Sequence, residues 1–391
     1  MDGSAGATGP DRALALAQRL VRIDTRGGGE RPAADLVADV LDDAGFDVRV
    51  DEPLPGRANV IARFGPEAPR TPITFTGHLD TVPAEESGWS FDPMSGEIRD
   101  GRLLGRGGSD MKAGVACQVE AAVRAAREHP GDTAVQLVFT FGEETGCDGA
   151  ALIDEAALTP TDLLMVAEPT GNRPVLGHKG TLWLKVTAHG ISAHGSRPEL
   201  GRNAIAPLAR AASRIHEHRD WPTNPTYGPA TVNVGTFHAG TQPNLVPDHA
   251  EMRLDIRTIP GFDSDDAITE ITRLCGEDVD LERLVDLPGI ATDPADVAEI
   301  MELLAPGSSA HPPEYATYFT DASVLAAKLG TPAVIVYGPG DPEQAHVTDE
   351  TCPVAAIAAS TTTHHHLLRT QNARSIPDAE RNRTQNATGQ T

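Results

Sequence analysis

Six side chains in this 391-residue sequence are of the types that hold metal ions or move protons, and each stands where a predicted strand ends or a loop begins. His78 closes the stretch Ile73–Thr76 plus Gly77 and is followed by Leu79 and Asp80. An imidazole and a carboxylate two residues apart on a strand project to one side. The carboxylate can then take one ring N–H and leave the other nitrogen free for a metal. A turn histidine beside a capping aspartate is the plain alternative. Glu143 and Glu144 follow Val135–Phe141. Two carboxylates at the end of a buried strand are costly unless paired or liganded. One of the two suits metal binding and its neighbour suits general-base work on a water; a solvated loop is the alternative. Glu168 ends Leu163–Ala167, and His346 follows Ala333–Val336 and a Gly338-Pro339-Gly340 turn. His346 read alone is a surface residue ahead of an acidic helix start. Asp110 ends a glycine-rich run, Gly105 to Ser109, that lacks dinucleotide-binding spacing; its charge argues against a phosphate there. It reads as the N-cap of the next helix, or as a carboxylate able to bridge two metals.

The elements that must position these residues alternate. Arg12–Val21, Ala33–Ala44 and the amphipathic run Met111–Arg127 read as helices; Phe46–Val50, Asn59–Phe64, Ile73–Thr76, Val135–Phe141 and Leu163–Ala167 read as strands. This predicts an α/β protein with a mostly parallel sheet sandwiched by helices. From about 178 to 288 the pattern changes to strand Thr181–His189, helix Asn203–His218, strands Ala230–Phe237 and Ala250–Arg257, helix Ser264–Leu274 and strand Asp278–Val285. That βαββαβ order is a ferredoxin-like domain. A helix at Val297–Leu304 and the strand Ala333–Val336 resume the first pattern. The organisation expected is therefore a catalytic domain in two parts, 1–177 and 289–369, an inserted lid, 178–288, and a disordered polar tail, 370–391.

Composition narrows the partners. The formal net charge of −24 disfavours nucleic acid and anionic membrane, while attracting divalent cations. Lysine occurs only at Lys112, Lys179, Lys185 and Lys328. The four cysteines form no CxxC pair, so neither a cysteine zinc site nor a disulfide framework is expected. No apolar run approaches a membrane span, and Met1–Pro10 lacks a signal-peptide pattern. A reduced, cytoplasmic protein is the expectation. His364-His365-His366 reads as a solvated cluster at a helix end, and Trp183 and Trp221 as packing residues of the inserted domain.

Taken together, the segments Gly77–Pro83 (GHLDTVP), Gly105–Gly114 (GRGGSDMKAG), Phe139–Gly146 (FTFGEETG), Ala167–Thr170 (AEPT) and Gln344–His346 (QAH) carry a resemblance. They resemble the zinc amidohydrolases that include acetylornithine deacetylase, succinyl-diaminopimelate desuccinylase, aminoacylase and the glutamate-releasing carboxypeptidase. The likeness runs from about Ala13 to His366. It implies two zinc ions, with cobalt or manganese as substitutes. Asp110 would bridge them, His78 and Glu168 would complete one ligand set, and Glu144 and His346 the other. Asp80 would orient His78, and Glu143 would be the base acting on a metal-bridging water. In the inserted domain, the stretch around Gly190–Pro198 resembles the family's lid signature. It implies that His194 stabilises the oxyanion, while Arg257, with Asn244 as a lesser candidate for the same role, holds a substrate carboxylate; a salt bridge of Arg257 to Asp255 or Asp248 is the alternative. Thr320 and the backbone of Gly340 would line the pocket. The resemblance further implies a small N-acyl amino acid as substrate, with Tyr318–Ala322 and Gln344–His346 closer to acetylornithine deacetylase than to the desuccinylase. A dipeptidase or glutamate-type carboxypeptidase is the alternative, and a non-catalytic amino-acid-binding protein the second alternative. A homodimer through the lid is a further expectation.

Overall fold

The computed structural model describes residues 8–306 and 314–375. The described residues form two units: 8–176, 292–306 and 320–375 in the first, 177–291 and 314–319 in the second. In chain order, the first unit begins with helices α1 (Gly9–Val21) and α2 (Arg31–Asp42), then strands β1 (Asp47–Leu54), β2 (Arg57–Phe64) and β3 (Thr71–His78). Helix α3 (Lys112–Glu128), β4 (Val135–Thr140), α4 (Asp148–Leu152), β5 (Thr161–Val166) and β6 (Val175–His178) follow, β6 running into the second unit. The second unit contains β7 (Gly180–His189), α5 (Ile205–Glu217), β8 (Thr231–Ala239), β9 (His249–Thr258), α6 (Ser264–Cys275) and β10 (Asp280–Leu287). The chain then returns through α7 (Ala298–Leu304), α8 (Ala322–Lys328), β11 (Ala333–Val336) and α9 (Val354–Ser375).

The sheet of the first unit runs β1-β2-β4-β3-β5-β11-β6. Its centre, β4-β3-β5-β11, is parallel; β1 and β2 on one side and β6 on the other pair antiparallel. Strands β3 and β4 are buried at every position, as parallel strands covered by helices must be. In β4, Val135, Leu137, Val138 and Phe139 supply four of the six residues, whereas β3 buries Thr71, Thr74 and Thr76 beside Ile73 and Phe75. Helices α1, α3 and α9 pack on one another beside this sheet.

The structure corrects two expectations. The sequence predicts an amphipathic α3, but the helix is buried nearly all round. Its polar side chains find partners inside: Gln118 Nε2 donates to the Met165 carbonyl (3.0 Å), although its Oε1 is left without a hydrogen bond, Lys112 Nζ donates to the Ile23 carbonyl (2.9 Å), and Glu120 accepts from Arg12 (2.6 Å). Its small residues allow this. A Cβ on Gly114 would run into the Ala167 carbonyl oxygen, so the helix start lies against the end of β5. The second correction concerns the end of the chain. Helix α9 continues to Ser375, past the point where composition reads as disordered, because Leu367 and Leu368 are fully buried and Asn372 Oδ1 accepts the Ala134 N–H (2.7 Å). The rest of that segment, 376–391, lies outside the described residues.

The second unit is a four-stranded antiparallel sheet in the order β8-β9-β7-β10 with α5 and α6 packed together, the arrangement of a ferredoxin-like βαββαβ domain. Alternate residues of β7 and β9 (Leu182, Leu184, Val186; Met252, Leu254, Ile256) form its core with Leu208, Ala211 and Ile271. Helix α6 is capped by Asp263, whose side chain accepts from the N–H groups of Asp265 and Asp266.

Candidate metal centre

Adjacent strands lie about 4.8 Å apart, so residues at the same end of neighbouring parallel strands are brought together by the sheet itself. His78 is the last residue of β3; Glu143 and Glu144 follow β4; Glu168 follows β5; His346 lies in the segment after β11. All are at carboxyl ends of the four central strands. Asp110 arrives from the start of α3, which packs on β3. The close approach of the β11 loop depends on glycine: a Cβ on Gly338 would strike the Ala167 and Glu168 carbonyls, and one on Gly340 the Ser109 carbonyl.

Asp110 faces an imidazole with each oxygen. Oδ1 is 3.2 Å from His78 Nε2, and Oδ2 is 3.5 Å from His346 Nε2. It does not cap α3; Met111 occupies that position without a side-chain bond, and the Asp110 carboxylate points at the histidines instead. His78 Nε2 also lies 3.8 Å from Glu168 Oε1, and His346 Nε2 lies 2.9 Å from Glu144 Oε2. Donor atoms of His78, Asp110 and Glu144 lie within 4.8 Å of one another, as do those of His78, Glu143 and Glu168. The two clusters share His78.

Asp80 is more central than its expected role. His78 Nδ1 lies nearer the Asp80 backbone oxygen (3.0 Å) than its carboxylate (3.5 Å), so the main chain is the primary orienter of the ring. The carboxylate is engaged elsewhere: Oδ1 accepts the Glu143 N–H and Oδ2 the Glu144 N–H, both at 3.1 Å. Asp80 thus sets the loop that carries both glutamates.

The electrostatics ask for a cation. Glu143 and Glu168 are buried and Glu144 is partly buried; desolvation together with neighbouring carboxylates raises their pKa values, well above the ordinary range for the first two. Burial disfavours a charged His78, but hydrogen bonds to Asp110 and Asp80 outweigh it and raise its pKa well above the usual value. Among the described residues, the ion pairs of these carboxylates are with His78 and His346 alone. Five carboxylates against two imidazoles leave an excess of potential negative charge among side chains that, His346 apart, are buried or nearly so. Nitrogen and oxygen donors without thiolate fit zinc, cobalt or manganese.

In the second unit, His194 and Asn244 are exposed on neighbouring loops, with the Gly195 N–H donating to the Asn244 carbonyl (2.7 Å). Ser196 engages His194 Nδ1 through both its N–H (3.1 Å) and its hydroxyl (2.8 Å). Arg257 pairs with Asp255 (3.0 Å) and donates to Thr181 Oγ1 (2.9 Å), so the salt bridge weighed against a substrate clamp is formed. A cavity of about 400 Å³ in this unit, lined by Lys179, Tyr227 and Arg283 among others, includes none of His194, Asn244 and Arg257. In the first unit Thr320 is fully buried and its hydroxyl accepts the Ala322 N–H (3.1 Å).

His364 is not solvated. It is fully buried between Phe75 and Tyr337, with ring centroids 5.3 and 5.4 Å away, and burial pulls its pKa down to about 4. His365 is buried too, and only His366 of the three is exposed. No helix starts at the acidic pair after His346: Thr351–Pro353 is a strand, and Glu350 is a buried partner of Arg106 (2.7 Å). Glu350 and the buried Asp321, which accepts from Thr140 Oγ1, were missed by reasoning from the sequence. Their partners lie far away along the chain, so no local pattern marks them.

This donor set, at the carboxyl ends of a parallel sheet, defines a metal-dependent hydrolase acting on linear amides. Residues 74–370 match the family described as Peptidase family M20/M25/M40, and the chain belongs to it. It is 31% identical over 363 residues to a succinyl-diaminopimelate desuccinylase of Cereibacter sphaeroides, covering 88% of this chain and 94% of that one. It is also 31% identical to an acetylornithine deacetylase of Vibrio campbellii, over 82% and 86% of the two chains. Among solved structures, an M20 family metallo-carboxypeptidase from Sulfolobus solfataricus aligns with a TM-score of 0.75 at 17% identity, over 93% of this chain and all of that one. A tripeptidase from Staphylococcus aureus aligns at 0.72 and 20%, over 93% and 99%.

Proposed function

We propose that this protein hydrolyses the amide bond of small N-acylated amino acids, acetylated ones first, using two zinc ions. Asp110 would be shared between them, with His78 and Glu168 on one side and Glu144 and His346 on the other. The observation that supports this most is the placement of the two Asp110 oxygens, one toward each imidazole. The bound pair supplies a polarised substrate carbonyl and an acidified water. The protein supplies the rest. Asp80 holds Glu143 at the site through its main chain, and Glu143 takes a proton on its carboxylate and returns it to the leaving amine nitrogen. Burial and the Glu168 charge, which raise its pKa, favour that proton-carrying role. His194 is the proposed oxyanion ligand, and Asn244, Arg257, Thr320 and Gly340 the proposed substrate contacts. For Arg257, a substrate carboxylate would have to compete with Asp255.

Both relatives at 31% identity have names that denote deacylases, whereas the peptidases aligned above share 20% or less and speak for the fold alone. That favours deacylation over the dipeptidase and carboxypeptidase readings, and retention of the whole donor set disfavours a binding protein. The test is a panel of N-acetyl and N-succinyl amino acids and dipeptides, assayed with and without chelator. Chelator-sensitive release of an acyl group supports the proposal; dipeptide cleavage without deacylation, or no hydrolysis at all, refutes it.

A further inference from the structure

Glu350 is a fully buried carboxylate that this chemistry does not use. Four donors converge on it. Oε1 accepts the N–H groups of Ser109 (2.7 Å) and Asp110 (3.0 Å); Oε2 accepts the Gly107 N–H (3.0 Å) and Arg106 Nη1 (2.7 Å). Three amides of one loop gathered on one carboxylate form an anion nest, here filled from within the chain. The Glu350 carbonyl in turn accepts the Gly105 N–H (3.1 Å), so the whole glycine-rich loop is fastened to this residue.

Glu350 stands four residues after His346, on the segment that brings the second imidazole. The same segment is tied at both ends. Ser109 Oγ donates to the Thr351 carbonyl (3.1 Å) and accepts the Asp341 N–H (3.1 Å), while Gln344 Oε1 accepts the Thr351 N–H (3.1 Å). The His346 side chain is itself 55% exposed, and among the described residues its ring pairs with the carboxylates of Glu144 and Asp110. Its distance from Asp110 is therefore set by the backbone beneath it, and that backbone is joined to the Asp110 loop through Glu350.

We propose that Glu350 is a positioning residue that fixes Asp110 opposite His346 and so governs the affinity of the cation they share. This rests on the metal reading above. Glu350→Gln keeps size and shape but turns an NH2 toward one pair of N–H donors, freeing half of the loop. Cobalt titration of the metal-stripped protein, followed by calorimetry and visible absorption, reads the consequence without any turnover. Wild type should bind two equivalents. E350Q should bind one as wild type does and the other roughly 10- to 100-fold more weakly, the range for removing an outer support of a metal ligand. His346→Ala should weaken the same equivalent, and the double variant should bind cobalt no more weakly than H346A. A residue with a merely structural role would lower the melting temperature of the metal-free protein and leave both cobalt affinities alone. Two equivalents at wild-type affinity in E350Q, or additive losses in the double variant, overturn the proposal while the metal reading stands. A wild-type protein that binds no cobalt overturns both. If E350Q fails to fold, Glu350→Asp takes its place, because its shorter arm cannot span both pairs of donors. The same weakening of one equivalent supports the proposal, and two equivalents at wild-type affinity overturn it.

Discussion

Replacing Asp80 with Asn tests the idea that one buried carboxylate organises both glutamates. Asp80 is 3% exposed, and each of its oxygens accepts one loop amide, Glu143 N–H and Glu144 N–H, at 3.1 Å. Asparagine keeps one acceptor and turns an NH2 toward the other amide. One hydrogen bond to an ionised group is lost, worth about 1.5–3 kcal/mol. At about 1.4 kcal/mol per factor of ten, that corresponds to a fall in kcat/KM of roughly 10- to 150-fold if the loop moves away from its working position. The contact between His78 Nδ1 and the Asp80 carbonyl involves the backbone and survives the change. Metal affinity through His78 should therefore fall much less than activity. The assay is steady-state kinetics on an N-acetyl amino acid, paired with metal analysis of the same preparation. A D80N enzyme within twofold of wild type refutes the reasoning. So does one that has lost its metal in proportion to its activity, since that would make the carboxylate a support of the ligand rather than of the loop.

Other perturbations follow from the same geometry. Glu143→Ala should abolish turnover and leave metal content nearly intact, measured by elemental analysis; loss of metal with activity would mean the two glutamates have exchanged roles. Gly114→Ala adds helix propensity worth about 1 kcal/mol, yet its Cβ meets the Ala167 carbonyl, so overpacking of about 1–3 kcal/mol should win and lower the melting temperature. His364 has a folded pKa of about 4 against 6.5, so the unfolded chain binds the proton more readily and stability should fall as pH drops from 6.5 toward 4, by about 3 kcal/mol. His364→Phe, which keeps a ring between Phe75 and Tyr337, should flatten that limb in urea melts taken across pH; an unchanged slope would sink the assignment. Chelation should lower the melting temperature as well as activity, because the cation is bound only by the folded site.

Much of the fold is legible in the sequence because parallel strands buried on both sides leave largely apolar runs, and Val135–Thr140, broken only by Gln136 before its closing threonine, and Ala333–Val336 are such runs. Residues that end a strand or come just after one, such as His78 and Glu168, inherit their position from it, so their convergence was accessible from sequence. Glu350 and Asp321 were not, since each meets its partners across more than 180 residues. The fully buried α3 was misread because an Ala-rich helix with a few polar residues has the same periodicity whether those residues face water or find partners inside. His364 was misread for a related reason: three consecutive histidines on a helix point in different directions, and only coordinates show which one enters the core.

The most direct test of the central claim is a crystal structure of the zinc-loaded protein with anomalous data at the zinc edge. Two peaks should flank the Asp110 carboxylate, one within about 2 Å of His78 Nε2 and the other within about 2 Å of His346 Nε2. A single peak, or density that leaves Asp110 uncoordinated, would contradict the account.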